Sequence, residues 1–130
     1  MKRILITGGA GFIGSHTASL FLENGFDLII LDSFVNTSKL FLKKIFHLFR
    51  KIDENYEQRI KFIECDIRDI NKLNNVFQES KNEGKPIDSV IHFAGLKSVN
   101  ESVLNPLHYW DTNVIGSINL FKTMAFHNCK

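Results

Sequence analysis

Apolar and polar positions alternate along this chain in two rhythms. Short runs that are apolar at nearly every position are separated by longer stretches in which apolar residues return every three or four positions. The short runs are Arg3-Ile4-Leu5-Ile6-Thr7, Asp27-Leu28-Ile29-Ile30-Leu31-Asp32, Ile60-Lys61-Phe62-Ile63-Glu64-Cys65 and Ser89-Val90-Ile91-His92-Phe93. They predict strands, the first two buried on both faces. Helical periods lie between them, from about Gly11 to Asn24, from Ser38 to Ile52, and onward from Asp69. Gly25 and Gly84 stand where left-handed caps would end the first and third of these. Asp69 is the expected N-cap of the third, with Ile70, Leu73, Val76 and Phe77 on one face. Two further helices are predicted from about Ser98 to His108 and from Thr112 to Asn128, the last with Val114, Ile118, Phe121 and Ala125 in register.

Strand alternating with helix four times over predicts an α/β fold, a doubly wound parallel sheet of the Rossmann-like kind. Such a sheet usually has six strands in two halves, and only four can be read here. The chain is therefore expected to be truncated after about four strands. Residues 1–130 would form the N-terminal part of one nucleotide-binding domain.

The stretch from Ser38 to Ile52 carries Lys39, Lys43, Lys44, Arg50 and Lys51 and no acid. At roughly 100° per residue, these and His47 fall within an arc of roughly 140°. Apart from Leu40, the apolar residues fill the opposite arc. A basic amphipathic helix of this kind can touch an acidic surface or a membrane. It can equally be the crossover helix between the second and third strands, apolar side on the sheet, and that reading is preferred.

Composition narrows the picture. The chain has 130 residues, 44% of them hydrophobic and 23% charged, which fits one globular domain and excludes a disordered chain. A net charge of +2 is too small to imply nucleic-acid binding. Cys65 and Cys129 are too far apart for metal-ligand spacing, which suits a reducing, cytoplasmic setting. No run of about 18 apolar residues occurs, so no membrane span is expected. The five histidines do not cluster, so no metal is expected.

Chemistry concentrates at Thr7-Gly8-Gly9-Ala10-Gly11-Phe12-Ile13-Gly14, which follows a strand and opens a helix. Glycine lets the backbone turn tightly and lets a pyrophosphate approach it, while the helix start offers free N–H groups and its positive dipole end. Gly14 would let the helix pack tightly on the sheet. Asp32 ends the second strand, where its carboxylate can accept from both ribose hydroxyls of an adenosine and would repel a 2′-phosphate. No arginine occupies positions 33–38, so NAD is favoured over NADP. Asp66 can bond an adenine amino group while Ile67 packs on the ring, though the same pair suits an ordinary turn into a helix. Lys97 can be a surface lysine at a helix start. His92 reads as a packed core residue, His16 as a helix residue near the glycine loop, and Tyr109 and Trp110 as packing residues.

Thr7 to His16 resembles the start of the extended short-chain dehydrogenase/reductase superfamily. Ile91-His92-Phe93-Ala94-Gly95-Leu96-Lys97-Ser98-Val99, with Glu101-Ser102-Val103, Pro106-Leu107, Tyr109 and Asn113-Val114-Ile115-Gly116, narrows the resemblance to the UDP-glucose 4-epimerase family. It covers essentially the whole chain. The resemblance implies a permanently held NAD. Phe12 and Ile13 would lie on its pyrophosphate, and Asp32 to Thr37, notably Ser33, Asn36 and Thr37, would surround the adenosine ribose. Asp66 and Ile67 would hold the adenine. Phe93, Ala94, Gly95 and Lys97 would line the nicotinamide side, with Asn113 supporting strand four. Thr112 stands where some members carry a cofactor-contacting asparagine.

The resemblance also implies interconversion of UDP-glucose and UDP-galactose by hydride transfer at C4 through a 4-keto sugar. A tyrosine followed four residues on by a lysine would serve as base. Neither Tyr56 nor Tyr109 has that lysine, so the catalytic pair and UDP-sugar site are expected beyond Lys130 and no catalytic residue is assigned here. The chain alone is expected to be inactive, and poorly soluble or a weak NAD binder. The family's homodimers use the two final helices. The alternatives are a nucleotide-sugar 4,6-dehydratase or reductase of the same superfamily, or a non-catalytic NAD-binding module.

Overall fold

Four parallel strands form the sheet, and their residues explain why it lies at the centre. The structure is a computed structural model and describes residues 2–129; the side chain of Lys39 also lies outside the described residues. β1 (Arg3–Thr7), β2 (Asp27–Asp32), β3 (Ile60–Glu64) and β4 (Ile87–His92) lie in the order β3-β2-β1-β4. β1 is buried along its whole length, as an apolar run paired on both sides requires. Alternate side chains feed opposite faces. Ile4, Ile6, Leu28 and Ile30 face α1 (Phe12–Glu23) and α2 (Lys39–Ile52), meeting Ala18, Leu22, Ile45 and Phe49. Leu5, Ile29 and Leu31 pack with Leu73, Val76 and Phe77 of α3 (Ile70–Asn82) and with Leu120 of α6 (Gly116–Phe126).

The expected elements hold through β3. Gly25, in the left-handed region at φ +85°, follows the end of α1 as expected, and Asp69 caps α3 by accepting from Lys72 N–H at 2.9 Å. α2 is the crossover helix: Ile45 and Phe49 are buried against the sheet, while Lys43, Lys44, His47, Arg50 and Lys51 are exposed and so is Leu40.

The last third departs from expectation. β4 starts at Ile87, two residues early, where Ile87 pairs beside Arg3 ahead of a register irregularity between Arg3 and Ile4. The helix expected over 98–108 is broken at Asn105-Pro106 into α4 (Val99–Leu104) and α5 (Pro106–Trp110), since proline has no N–H to continue the ladder. α5 runs on through a π turn, Asp111–Ile115, into α6. That turn is closed by Gly116 N–H to the Asp111 carbonyl, and its extra residue rotates the register. As a result Val114, Ile118, Phe121 and Ala125 face outward, and Gly116, Leu120 and Thr123 face the sheet.

Charged groups secure the N-terminal ends of the strands. Arg3 is buried and donates to Ser80 Oγ at 2.9 Å and Glu83 Oε2 at 2.8 Å. Lys61 pairs with the same glutamate. Asp27 is buried against Lys85 Nζ at 2.7 Å. The opposite ends, where the chain reverses its winding between β1 and β4, remain open. That switch point is where doubly wound sheets hold ligands.

Candidate functional site

Residues 8–11 carry the chain from β1 into α1. Gly8 has φ +65°, and a Cβ there would lie 2.6 Å from the Ala94 nitrogen, so only glycine can sit so close to the chain leaving β4. Gly14, in the first turn of α1, presses on the same loop, where a Cβ would meet Gly9 Cα at 2.7 Å. Gly11 opens the helix with no side-chain cap and no acid in the first turn. Gly11 N–H bonds the Gly8 carbonyl at 3.1 Å and Ser15 N–H bonds the Gly11 carbonyl at 2.9 Å. Between them the first-turn amides bring the positive end of the helix dipole to bare backbone, an arrangement that accepts an anion.

This loop forms one wall of a cleft of about 640 Å³ over the C-terminal ends of the strands. Of the residues the sequence singles out, Gly8, Gly11, Phe12, Asp32, Ser33, Asn36, Thr37, Asp66, Ile67, Phe93, Ala94, Gly95 and Lys97 all line it. Three stand elsewhere. Ile13 is exposed on the first turn of α1, Gly14 is buried behind the loop, and Asn113 lies behind the wall formed by residues 93–97.

Asp32 is held from two sides. Its Oδ2 accepts from Ala10 N–H at 3.1 Å and its Oδ1 from Phe34 N–H at 2.9 Å. The second bond supports Phe34 in the left-handed region at φ +57°, uncommon for an aromatic residue. Each oxygen keeps lone-pair capacity for a further donor. Asp66 is engaged differently. Arg68 binds its carboxylate through Nε at 3.1 Å and Nη2 at 2.7 Å, then reaches Asp111 Oδ2 at 3.1 Å. Hydrogen bonding to Arg68 holds the Asp66 carboxyl below its ordinary range. Ile67 is buried beneath Gly116, where a Cβ would lie 2.6 Å from Ile67 Cγ1. Burial pushes the neighbouring Cys65 thiol up to about 11, so it is no thiolate at neutral pH.

Asn113 holds the far wall. Its Oδ1 accepts from Leu96 N–H at 2.7 Å and its Nδ2 donates to the Leu96 carbonyl at 3.0 Å, beyond the end of β4 rather than on the strand itself. Tyr109 also lines the cleft, its hydroxyl accepting from Ser98 N–H at 2.9 Å and lying 3.3 Å from Glu101 Oε2; it ties down the start of α4 and does more than pack. Trp110 does not pack: it is 64% exposed on the outer side of α5. His92 is half-buried with both ring nitrogens bonded, and His16 Nδ1 lies 2.7 Å from the Phe12 carbonyl beside the glycine loop. Residues not singled out from the sequence also line the cleft, among them Phe41, Arg68 and His108. Arg68 could have been found as the cation two positions after Asp66; the others are set by how α2 and α5 fold over the site. Thr112 Oγ1 is buried and pairs with nothing among the described residues. Among those residues, no group of three or more His, Cys, Asp or Glu could hold a metal, and no helix is long and apolar enough to cross a membrane.

Residues 5–130 match the protein family described as GDP-mannose 4,6 dehydratase. The bifunctional UDP-glucose 4-epimerase and UDP-xylose 4-epimerase 1 of Pisum sativum is 44% identical over 129 residues, covering 99% of this chain and 35% of its own. The chain thus spans about a third of the length of the curated relatives it matches. The UDP-glucose 4-epimerase of Stenotrophomonas maltophila, crystallised with NAD and a formylated UDP-arabinopyranose, superposes with a TM-score of 0.82 at 35% identity, over 100% of this chain and 35% of that one. The Bifidobacterium longum enzyme, in complex with NAD+ and UDP, gives 0.80 at 38% identity, over 99% of this chain and 35% of that one.

Proposed function

This chain belongs to the GDP-mannose 4,6 dehydratase family, and from that premise we propose that it is the NAD-holding part of a UDP-glucose 4-epimerase. The observation that carries the reading is the cleft itself, in which an uncapped helix start and a held carboxylate face each other across the switch point. The residues fit a dinucleotide. Side chains at Gly8 and Gly14 would displace the phosphate-facing loop, and the buried Thr112 hydroxyl needs a partner.

The first-turn amides of α1, that of Ile13 among them, would bind the pyrophosphate, with the Phe12 side chain beside it. Asp32 would accept from the ribose hydroxyls, Ser33, Asn36 and Thr37 would close around that ribose, and Asp66 with Ile67 would flank the adenine. Asp66 keeps acceptor capacity while Arg68 holds it. Phe93, Ala94, Gly95 and Lys97 would line the nicotinamide side, placed by Asn113. Bound NAD supplies the hydride acceptor and donor for the sugar C4 through a 4-keto sugar. The residues of this chain bind and orient; they offer no tyrosine–lysine base pair. The UDP-sugar relatives and the epimerase names at 40–45% identity support this reading over a dehydratase. Among the described residues, ten of the fifteen exposed large hydrophobic ones lie between Val99 and Phe126, which supports a homodimer through the last helices. A cytoplasmic setting completes the proposal.

Fluorescence titration tests it. NADH is expected to bind more tightly than NADPH, and Asp32→Ala to weaken NADH at least about tenfold while shrinking that preference. A chain that binds neither, or both alike, overturns the reading. A chimera carrying these residues in place of the matching 129-residue stretch of the pea enzyme is expected to keep NAD and convert UDP-galactose. The chain by itself is expected to convert none.

A further inference from the structure

We propose that His92 is a positioning residue for the cleft, a neutral imidazole with its hydrogen on Nε2 that carries a one-directional chain of hydrogen bonds from the Ala94 amide to the Asn113 carbonyl. The direction follows from which atoms can donate. Ser117 Oγ lies 2.6 Å from the Asn113 carbonyl oxygen, which only accepts, so the serine hydrogen is committed there. Ser117 Oγ then serves His92 Nε2, 2.9 Å away, as acceptor, and Nε2 must carry the ring hydrogen. At the other end Ala94 N–H only donates, to Thr7 Oγ1 at 3.3 Å. The Thr7 hydroxyl hydrogen is left to point at His92 Nδ1, 2.6 Å away, and that nitrogen accepts. Each hydrogen in the chain has one place to go.

The chain ends where it matters. Ala94 N is the atom against which Gly8 packs, and Asn113 grips Leu96 by both its amide and its carbonyl. The two ends of the wall formed by residues 93–97 are thus joined through one imidazole to β1 and to the π turn. A second proton on the ring would turn Nδ1 into a donor and strand the Thr7 hydrogen. The groups facing the ring are Thr7 on β1, Ser117 on α6 and, edge-on at 6.3 Å, Phe121; none is a carboxylate that could stabilise an imidazolium. Burial holds the ring below its ordinary pKa.

The functional readout rests on the NAD reading, but the structural one does not. Nitrogen-15 NMR of the imidazole at pH 7 is expected to show the Nε2–H form, a mixture of tautomers in Ser117→Ala, and the Nε2–H form again in Ser117→Thr. Amide exchange at Ala94 and Leu96 is expected to be about tenfold faster in His92→Phe and in Ser117→Ala, and restored in Ser117→Thr. NADH is expected to bind about tenfold more weakly to the two variants with faster exchange. An Nδ1–H or doubly protonated ring in the parent overturns the proposal, as does unchanged amide exchange in Ser117→Ala. Should His92→Phe fail to fold, the two serine variants decide. If no variant or parent binds NADH, the NAD reading fails, while the tautomer and exchange still judge the role of His92.

Discussion

Gly14 leaves no space for even a methyl group between α1 and the Gly8–Gly9 backbone. Gly14→Ala must therefore move the helix start off the loop, at a cost of about 1–3 kcal/mol, the usual size of an overpacking penalty. Urea denaturation is expected to show that loss and fluorescence titration an NADH affinity at least about tenfold lower; an unchanged midpoint contradicts the packing described. That Gly14 must stay small was legible from spacing because the requirement is steric and local; that it packs on the Gly8–Gly9 loop rather than on the sheet was not. Asp32 was legible for the same reason, standing at the end of an unmistakable strand. The engagement of Asp66 by Arg68 was not, since a turn that folds a guanidinium back on a carboxylate leaves no periodic trace. Trp110 misleads for a related cause: a large aromatic reads as core until the surface that would cover it is known.

At the scale of elements, α6 shows what an apolar stripe leaves open. Periodicity shows which residues share a face but not which side the sheet lies on. The π turn adds a residue before α6 and brings Gly116, Leu120 and Thr123 inward, with Gly116 permitting the close approach to Ile67. Leu120→Ala is expected to cost about 2–5 kcal/mol, the range for a fully buried leucine. Ile118→Lys is expected to change stability by no more than about 0.5 kcal/mol and to weaken the proposed homodimer in analytical ultracentrifugation. Equal destabilisation by both substitutions contradicts the register. The opposite case is α2, whose wide basic arc and apolar arc left one orientation that buries Ile45 and Phe49.

For the molecule as a whole, titration couples the site to stability. Burial lowers the pKa of His92 below its ordinary 6.5, and burial with nearby Lys81 lowers His127 likewise. Above that value both rings are neutral folded or unfolded and contribute no pH dependence. As pH falls below it, the unfolded chain takes protons that the folded chain refuses, so stability drops. Asp53, Asp66 and Glu83, lowered chiefly by hydrogen bonds from Arg59, Arg68 and Lys61, contribute stability that is lost only as pH falls past the carboxylate range. Thermal melts are expected to be level from pH 8 to 7, to fall between about 6.5 and 5, and to fall again below about 4. His92→Phe is expected to flatten the first step; a step of undiminished size contradicts the burial of the ring. What the sequence by itself determined was the order of strands and helices, the glycine turn and the acid facing it, because each depends on local sterics or on a period along the chain. Only the tertiary structure decided which face of α6 is buried, which side chains close the cleft, and where the proton sits on His92. Those depend on atoms brought together from β1, β4 and the π turn, which no spacing along the chain records.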